Sequence, residues 1–194
     1  TCLFRFIHLL LTGRELPVSS LPDNNEEAEK AMLATLLESP AMHVFDNVSD
    51  GTMVSSGLLA KVLTAMIFKG RVLGISKEAE VPTSTLFGVT GNNISFDSDL
   101  ARRFLMVRLT SASDQPEKRS FKHEDVSRYV LENRQRWTAS ALAIVAGYLR
   151  SGAELENQPG AQSSGYPQWD RMVRYPLLWA SGVDLLEAAD VVSE

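Results

Sequence analysis

The stretch MHVFDNVSDG, residues 42–51, limits the fold more than any other part of the sequence. Met42 to Phe45 is short, apolar and partly β-branched, which marks a buried strand rather than a helix. Segments of helical period flank it, so the chain is read as an α/β protein. The run closes on an acid, Asp46, followed at once by an amide, Asn47. Two readings share these letters. A strand can leave the core through a polar turn, and Asp-Asn pairs favour turns. Alternatively, Asp46 stands at the carboxyl end of a buried strand, where open α/β sheets place their ligands.

Upstream, Leu3, Phe4, Phe6, Ile7, Leu9, Leu10 and Leu11 cover most of a helix surface. That predicts a largely buried first helix, stopped by Thr12-Gly13 with Gly13 as its cap. A second helix is expected from about Asp23, since Asp23 and Glu26 have capping-box spacing. Its inner stripe is Ala28, Met32, Leu33, Leu36 and Leu37, and Pro40 ends it. Helical spacing returns from Ser55 to Phe68 through Leu58, Leu59, Val62, Leu63, Met66 and Ile67.

RVLGIS (71–76) and VPTSTLFGVT (81–90) are strand-like around a charged tip, Lys77 to Glu80. They suggest a hairpin feeding a core strand, with Pro82 at an exposed edge or a bulge. FLMVRL (104–109) reads as another strand. A polar connector, residues 111–120, leads to a long helix from about Glu124 to Arg150. Loop composition follows, and two short helices, roughly 169–180 and 182–191, come last.

A length of 194 residues suits one α/β domain with a smaller appendage. With 44% hydrophobic and 22% charged residues the chain has an ordinary globular balance, which argues against extensive disorder. The net charge of −5, from 24 acids and 19 bases, argues against a surface that coats double-stranded DNA, yet leaves room for a local basic loop. A single cysteine, Cys2, permits no intrachain disulfide and no zinc cluster. His8, His43 and His123 are scattered without metal-ligand spacing.

No apolar run approaches the roughly 20 residues of a membrane span. TCLFRFIHLLLTGR is not read as a signal peptide, because Arg5 and His8 interrupt its apolar core and no small-residue cleavage site closes it. A cytoplasmic protein without membrane contact is expected.

Three features carry the chemistry. An acid at a strand end, as at Asp46, holds the magnesium that bridges β- and γ-phosphates in P-loop ATPases, and a neighbouring polar group helps to orient the attacking water. In LFGVTGNN a second apolar strand ends in Thr90-Gly91-Asn92-Asn93, where an amide would meet the γ-phosphate or that water. Gly-Asn is also ordinary turn chemistry. DLARRF then supplies Arg102 and Arg103, and arginine suits a transferring phosphoryl group. The plain alternative is two surface arginines.

In this order the three resemble the Walker B, sensor-1 and arginine-finger series of AAA+ and superfamily-three helicase ATPases. The segments FDNV, LAKVLT, RVLG, TGNN, DLARRFLMVRL and PEKRSFKH resemble the ATPase part of phage and mobile-element primase/helicase proteins. The tail YPQWDRMVRYPLLWASGVD is similar to the ending seen there. The resemblance implies a P-loop NTPase (AAA+-like) core over residues 1–112 and a C-terminal α-helical domain over 113–194.

One departure is large: no G-x-x-x-x-G-K-[ST] occurs in the sequence. TCLFRFIHLLLTGR fits the helix that follows the phosphate loop in this family. The resemblance therefore implies that Thr1 is the last residue of that loop, with its lysine and glycines lying ahead of it. A genuinely degenerate ATPase is the alternative.

The implied site uses ATP and Mg2+, with Thr1 and Asp46 as metal ligands and Thr1 also touching nucleotide. Asn47 replaces a second acid, Asn92 is the sensor amide, and Arg102 or Arg103, with Arg103 favoured, reaches phosphate in a neighbouring subunit of a homo-oligomeric ring. The hairpin residues Lys69, Arg71 and Lys77 would grip single-stranded DNA, although Glu78 and Glu80 beside Lys77 equally suit a solvated tip. The implied function is an ATP-dependent DNA helicase or translocase in phage or mobile-element replication, of which this chain alone would be inactive. The alternatives are a non-hydrolysing ATPase-fold module for oligomerisation or DNA loading, and a loader-type switch whose hydrolysis reports DNA binding.

Overall fold

A computed structural model describes residues 1–22, 25–72, 77–110, 122–157 and 163–186. The chain forms two compact units, Thr1–Leu105 and Met106–Glu194. The boundary expected at residue 112 lies outside the described residues.

The first unit is mixed α/β. Helix α1 (Cys2–Thr12) ends on Gly13, whose left-handed φ of 73° lets its N–H reach Leu9 O. Strand β1 (Val18–Ser19) and helix α2 (Asn25–Leu37) follow. Strand β2 (Met42–Val48) is the middle of a parallel sheet, β1–β2–β6, with β6 spanning Leu86–Gly91. Met42, Val44 and Phe45 are all buried, as expected for a parallel strand covered on both faces.

Between these strands lie β3 (Met53–Val54) and helix α3 (Gly57–Thr64), which is capped by the Ser56 hydroxyl accepting Leu59 N–H at 3.2 Å. Then comes a hairpin of β4 (Ile67–Arg71) and β5 (Glu78–Pro82). Strand β7 (Ser95–Phe96) pairs in parallel with β3, and helix α4 (Ser98–Ala101) follows it. Leu33, Leu36, Phe45, Val54, Leu59, Phe68 and Leu100 pack together as the core of this unit.

All regular structure described in the second unit is helical. Helix α5 (Val126–Ser151) is capped by the Asp125 carboxylate accepting Arg128 N–H at 2.9 Å, and it ends on Gly152 with φ 71°. After a short 3-10 turn at Leu155–Asn157, α6 (Pro167–Trp169), a π-helical turn (Asp170–Arg174) and α7 (Tyr175–Ser181) run on continuously. The π turn has a local cause. Pro176 has no N–H, and its ring would meet the carbonyl four residues back, so the helix widens and Tyr175 N–H bonds Asp170 O. Helix α7 packs on α5 where Gly147 leaves room: a Cβ there would lie 3.1 Å from Trp179 Cη2.

Several expectations need correction. The first helix is only half-buried: His8 and Leu9 are inside, but Leu3 and Leu11 are 42% and 51% exposed, because no described segment covers that side. Ile67 and Phe68 belong to a strand, not to the preceding helix. Helix α3 stops at Ala65, which is extended, and pairing with Pro82 and Val81 buries Phe68 completely. A bulky Ile-Phe pair suits that pleated surface. Residues 78–80 lie within β5 rather than at a tip, and the tip itself, 73–76, lies outside the described residues. Pro82 is exposed at the end of its strand, as expected.

FLMVRL forms no strand. It has no pairing partner among the described residues, and an apolar run without one cannot satisfy its backbone as a strand. Phe104 instead stacks on Phe96 at 4.6 Å and donates its N–H to Leu100 O. The capping pair Asp23 and Glu26 cannot be compared, since residue 23 and the Glu26 side chain lie outside the described residues; the same holds for most of the helix expected over 182–191.

Candidate functional site at the end of strands β2 and β6

In the parallel register Phe45 lies opposite Val89, so the next residues, Asp46 and Thr90, emerge side by side at the strand ends. The Thr90 hydroxyl donates to Asp46 Oδ1. The Thr1 hydroxyl donates to the same oxygen from the start of α1. Thr1 can reach because α1 lies low on the sheet, with the Phe4 ring directly over Gly88. Together the Thr1 and Thr90 hydroxyls hold the Asp46 carboxyl below the usual carboxylate range. Asp46 thus presents a carboxylate flanked by two hydroxyls, an all-oxygen set of the kind that a hard cation prefers.

Asn47 follows Asp46 within the last residues of β2. Its φ of 57° is left-handed, a conformation that asparagine tolerates better than most residues. The ladder register shifts between Phe45 and Val48, and Asn47 N–H donates to Thr90 Oγ at 3.1 Å. The amide therefore has a backbone reason to follow Asp46. Its exposed side chain is available to solvent or ligand.

Asn92 is exposed just beyond β6, and its carbonyl accepts Gly51 N–H at 3.2 Å. Asn93, also left-handed with φ 49°, donates its side-chain amide to Asp50 at 3.0 Å. Thr90, which the sequence singled out only as part of the strand-end motif, is the β6 residue that contacts Asp46. A signal for it existed: aligning the two apolar runs so that their ends coincide places a hydroxyl next to the acid.

The two arginines diverge in exposure and pairing. Arg103 is folded back, with its Nη1 on both the carbonyl and the carboxylate of Asp99, and its side chain is only 20% exposed. Its Nε is buried with no hydrogen-bond partner among the described residues. Arg102 projects, with its side chain 76% exposed and a 3.4 Å contact to Asp99. Local pairing therefore takes Arg103, and Arg102 is the side chain free to reach outward.

On the hairpin, Lys69 Nζ lies 2.9 Å from Glu78 and 3.9 Å from Glu80. Arg71 stands opposite Glu78 in the ladder. Lys77 is exposed beside the tip, and its carbonyl accepts Val72 N–H. Two of the three expected DNA-gripping cations thus share strand faces with glutamates. The histidines have local roles: His8 donates Nδ1–H to Arg14 O at 2.9 Å, and His43 Nε2 lies 2.9 Å from Ser19 Oγ across β1 and β2.

The second unit holds a buried ion cluster within the tail segment YPQWDRMVRYPLLWASGVD. Arg174 bonds Asp184 through Nε and Nη2, both at 2.7 Å, and its Nη1 lies 3.3 Å from Asp170. Asp170 also accepts Ser164 N–H at 3.1 Å. Arg174 holds the Asp184 carboxyl below its usual range.

No group of three or more His, Cys, Asp or Glu side chains able to hold a metal occurs among the described residues. No helix among them is long and apolar enough to cross a membrane. No protein-family model, curated protein or solved structure matches the chain.

Proposed function

We propose that Thr1 and Asp46 form the magnesium side of an ATP site in a P-loop, AAA+-like ATPase that drives DNA unwinding or translocation in phage or mobile-element replication. The contact between Thr1 and Asp46 carries this reading. A phosphate-loop Ser/Thr and a strand-end acid share one Mg2+ in such enzymes, so their side chains must meet. Mg2+ keeps several waters and takes one or two carboxylates plus substrate phosphates, so a hydroxyl and a single acid suffice without an acidic cluster. ATP would bring the charge that the site is built to stabilise.

In this reading the lysine and glycines of the loop precede Thr1, Asn47 and Asn92 face the attacking water, and Arg102 is the arginine offered to a neighbouring subunit. Lys77 and the hairpin base, Lys69 and Arg71, track single-stranded DNA. The second reading, a non-hydrolysing module for oligomerisation or DNA loading, is favoured by one observation: the absence of G-x-x-x-x-G-K-[ST] from the sequence.

The residues that the gene encodes just before Thr1 separate the two. The motor reading expects a G-x-x-x-x-G-K motif ending at Thr1 and, in protein that contains it, Mg2+-dependent binding of a fluorescent ATP analogue that Thr1→Ala weakens. The 194-residue chain alone should show no turnover above a contaminant control, because the phosphates lack their backbone cradle. An upstream sequence without the motif, or nucleotide binding indifferent to Mg2+ and to Thr1, would leave the scaffold reading standing.

A further inference from the structure

The chains leaving β2 and β6 remain paired beyond the sheet. Gly51 N–H donates to Asn92 O at 3.2 Å, Ser95 N–H to Thr52 O at 3.1 Å, and Asp97 N–H to Val54 O at 3.1 Å. At the end of this ladder the Ser55 hydroxyl donates to Asp97 Oδ2 at 2.5 Å. The other oxygen, Asp97 Oδ1, accepts Asp99 N–H at 3.1 Å and Leu100 N–H at 2.8 Å. An ordinary helix cap needs only the second set. The Ser55 bond adds a tie from the segment that follows Asp46 to the first turn of α4.

Helix α4 has little freedom of its own. Leu100 is fully buried in the core, and Asp99 at the same turn holds Arg103 and contacts Arg102. A shift of residues 48–55 would therefore bear on the first turn of α4, and so on the arginine pair, through Ser55 and Asp97. The opposite faces of this joint are occupied by Val54 and Phe96, whose packing keeps the ladder in register.

We propose that Asp97 is a positioning residue, which through Ser55 sets the place of Arg102 according to the state of the Asp46 site. The proposal rests on the ATPase reading and deepens it, because it names how occupancy of one site reaches the arginine offered to the next. Without the Ser55 bond, α4 keeps its cap, its core anchor and the backbone bond from Asp97 N–H to Val54 O, and loses the side-chain tie that fixes the Asp97 carboxylate to residue 55.

The test is steady-state ATP hydrolysis by the assembled protein carrying its phosphate loop, comparing wild type with Ser55→Ala, Ser55→Thr and Asp46→Ala. Ser55→Ala should lower kcat roughly tenfold or more, toward the ~10²-fold cost of a misplacement of about 1 Å, with KM for ATP unchanged. Its Hill coefficient should fall toward about 1, because the coupling between sites is cut. Ser55→Thr keeps a hydroxyl and should restore both. A purely structural role would instead lower the melting temperature and leave cooperativity intact. If Asp46→Ala abolishes hydrolysis while Ser55→Ala keeps normal kcat and cooperativity, this inference fails alone. Hydrolysis that survives Asp46→Ala would remove the ATPase reading and the inference with it.

Discussion

Phe4 of α1 lies against the bare backbone of Gly88 in β6: a Cβ at Gly88 would stand 2.8 Å from two carbons of the Phe4 ring. Glycine is required here by close approach. The contact lowers α1 onto the sheet and brings the start of the helix to the strand ends. It is thus the packing on which the meeting of Thr1 and Asp46 depends.

Gly88→Ala should therefore act at a distance. The added methyl forces α1 outward, at a cost of about 1–3 kcal/mol for overpacking. With Thr1 withdrawn, the Asp46 carboxyl loses its strongest donor and its pKa should rise toward the ordinary carboxylate range. NMR titration of the Asp46 carboxyl, with urea unfolding alongside, reads both effects. Adding Phe4→Leu should relieve part of the strain. An Asp46 titration identical to wild type would mean that Thr1 does not depend on the seating of α1.

The second unit should be acid-sensitive through Asp184. Its folded pKa is lowered by Arg174, so the stability that it contributes is complete above the unfolded value near 3.9 and is lost as pH falls through the lower folded value. Asp184→Asn should flatten that limb of the stability curve. At neutral pH Asp184→Ala should cost about 3–5 kcal/mol, since Arg174 is only 3% exposed and would be left without its bidentate partner. Thermal unfolding followed from pH 2.5 to 7 by the fluorescence of Trp137, Trp169 and Trp179, all of which lie in this unit, measures both. A mutant curve parallel to wild type throughout would refute the assignment.

These cases show what a sequence can and cannot announce. Met42 to Phe45 and Gly13 were legible because each rests on local chemistry: a short apolar run, or a residue that accepts left-handed backbone. Ile67 and Phe68 continued a helical period, and only the remote segment 78–82 turned them into a strand. FLMVRL has every local mark of a strand yet lacks a described partner, which no local pattern reveals. At the site, Asp46 was visible as an acid breaking an apolar run. Thr90 emerges only when the two apolar runs are aligned by their ends, since a hydroxyl at a strand end is unremarkable until the register sets it beside Asp46. Likewise the choice between Arg102 and Arg103 turned on Asp99, which captures the arginine four positions on and leaves its neighbour projecting.

In the proposed ATPase ring, Arg102→Ala should lower kcat by roughly 10³ or more, as removal of an arginine finger does, with little change in nucleotide affinity. Arg103→Ala should act more through stability, since Arg103 is tied to α4. Mixing Arg102→Ala with Asp46→Ala subunits should recover partial activity, because some interfaces then pair an intact metal site with an intact arginine. Mixed rings that recover nothing at any ratio would exclude the role in trans.

Lys77→Ala should weaken single-stranded DNA binding and reduce the salt slope by about one unit or slightly less. Lys69→Ala should change it less, because Glu78 and Glu80 already neutralise that cation. Fluorescence anisotropy across a salt series distinguishes them. Equal slopes for wild type and Lys77→Ala would take the hairpin out of the DNA path.

The most direct measurement is Mg2+-dependent ATP hydrolysis by Asp46→Ala in protein that includes the residues ahead of Thr1, with the fold checked by circular dichroism and melting. Hydrolysis should be abolished while the fold is kept, and the melting temperature should be unchanged or slightly higher, because in the proposed site a strand-end acid serves catalysis rather than the core. An unfolded mutant, or a folded one with undiminished specific activity, would show that Asp46 merely ends a strand.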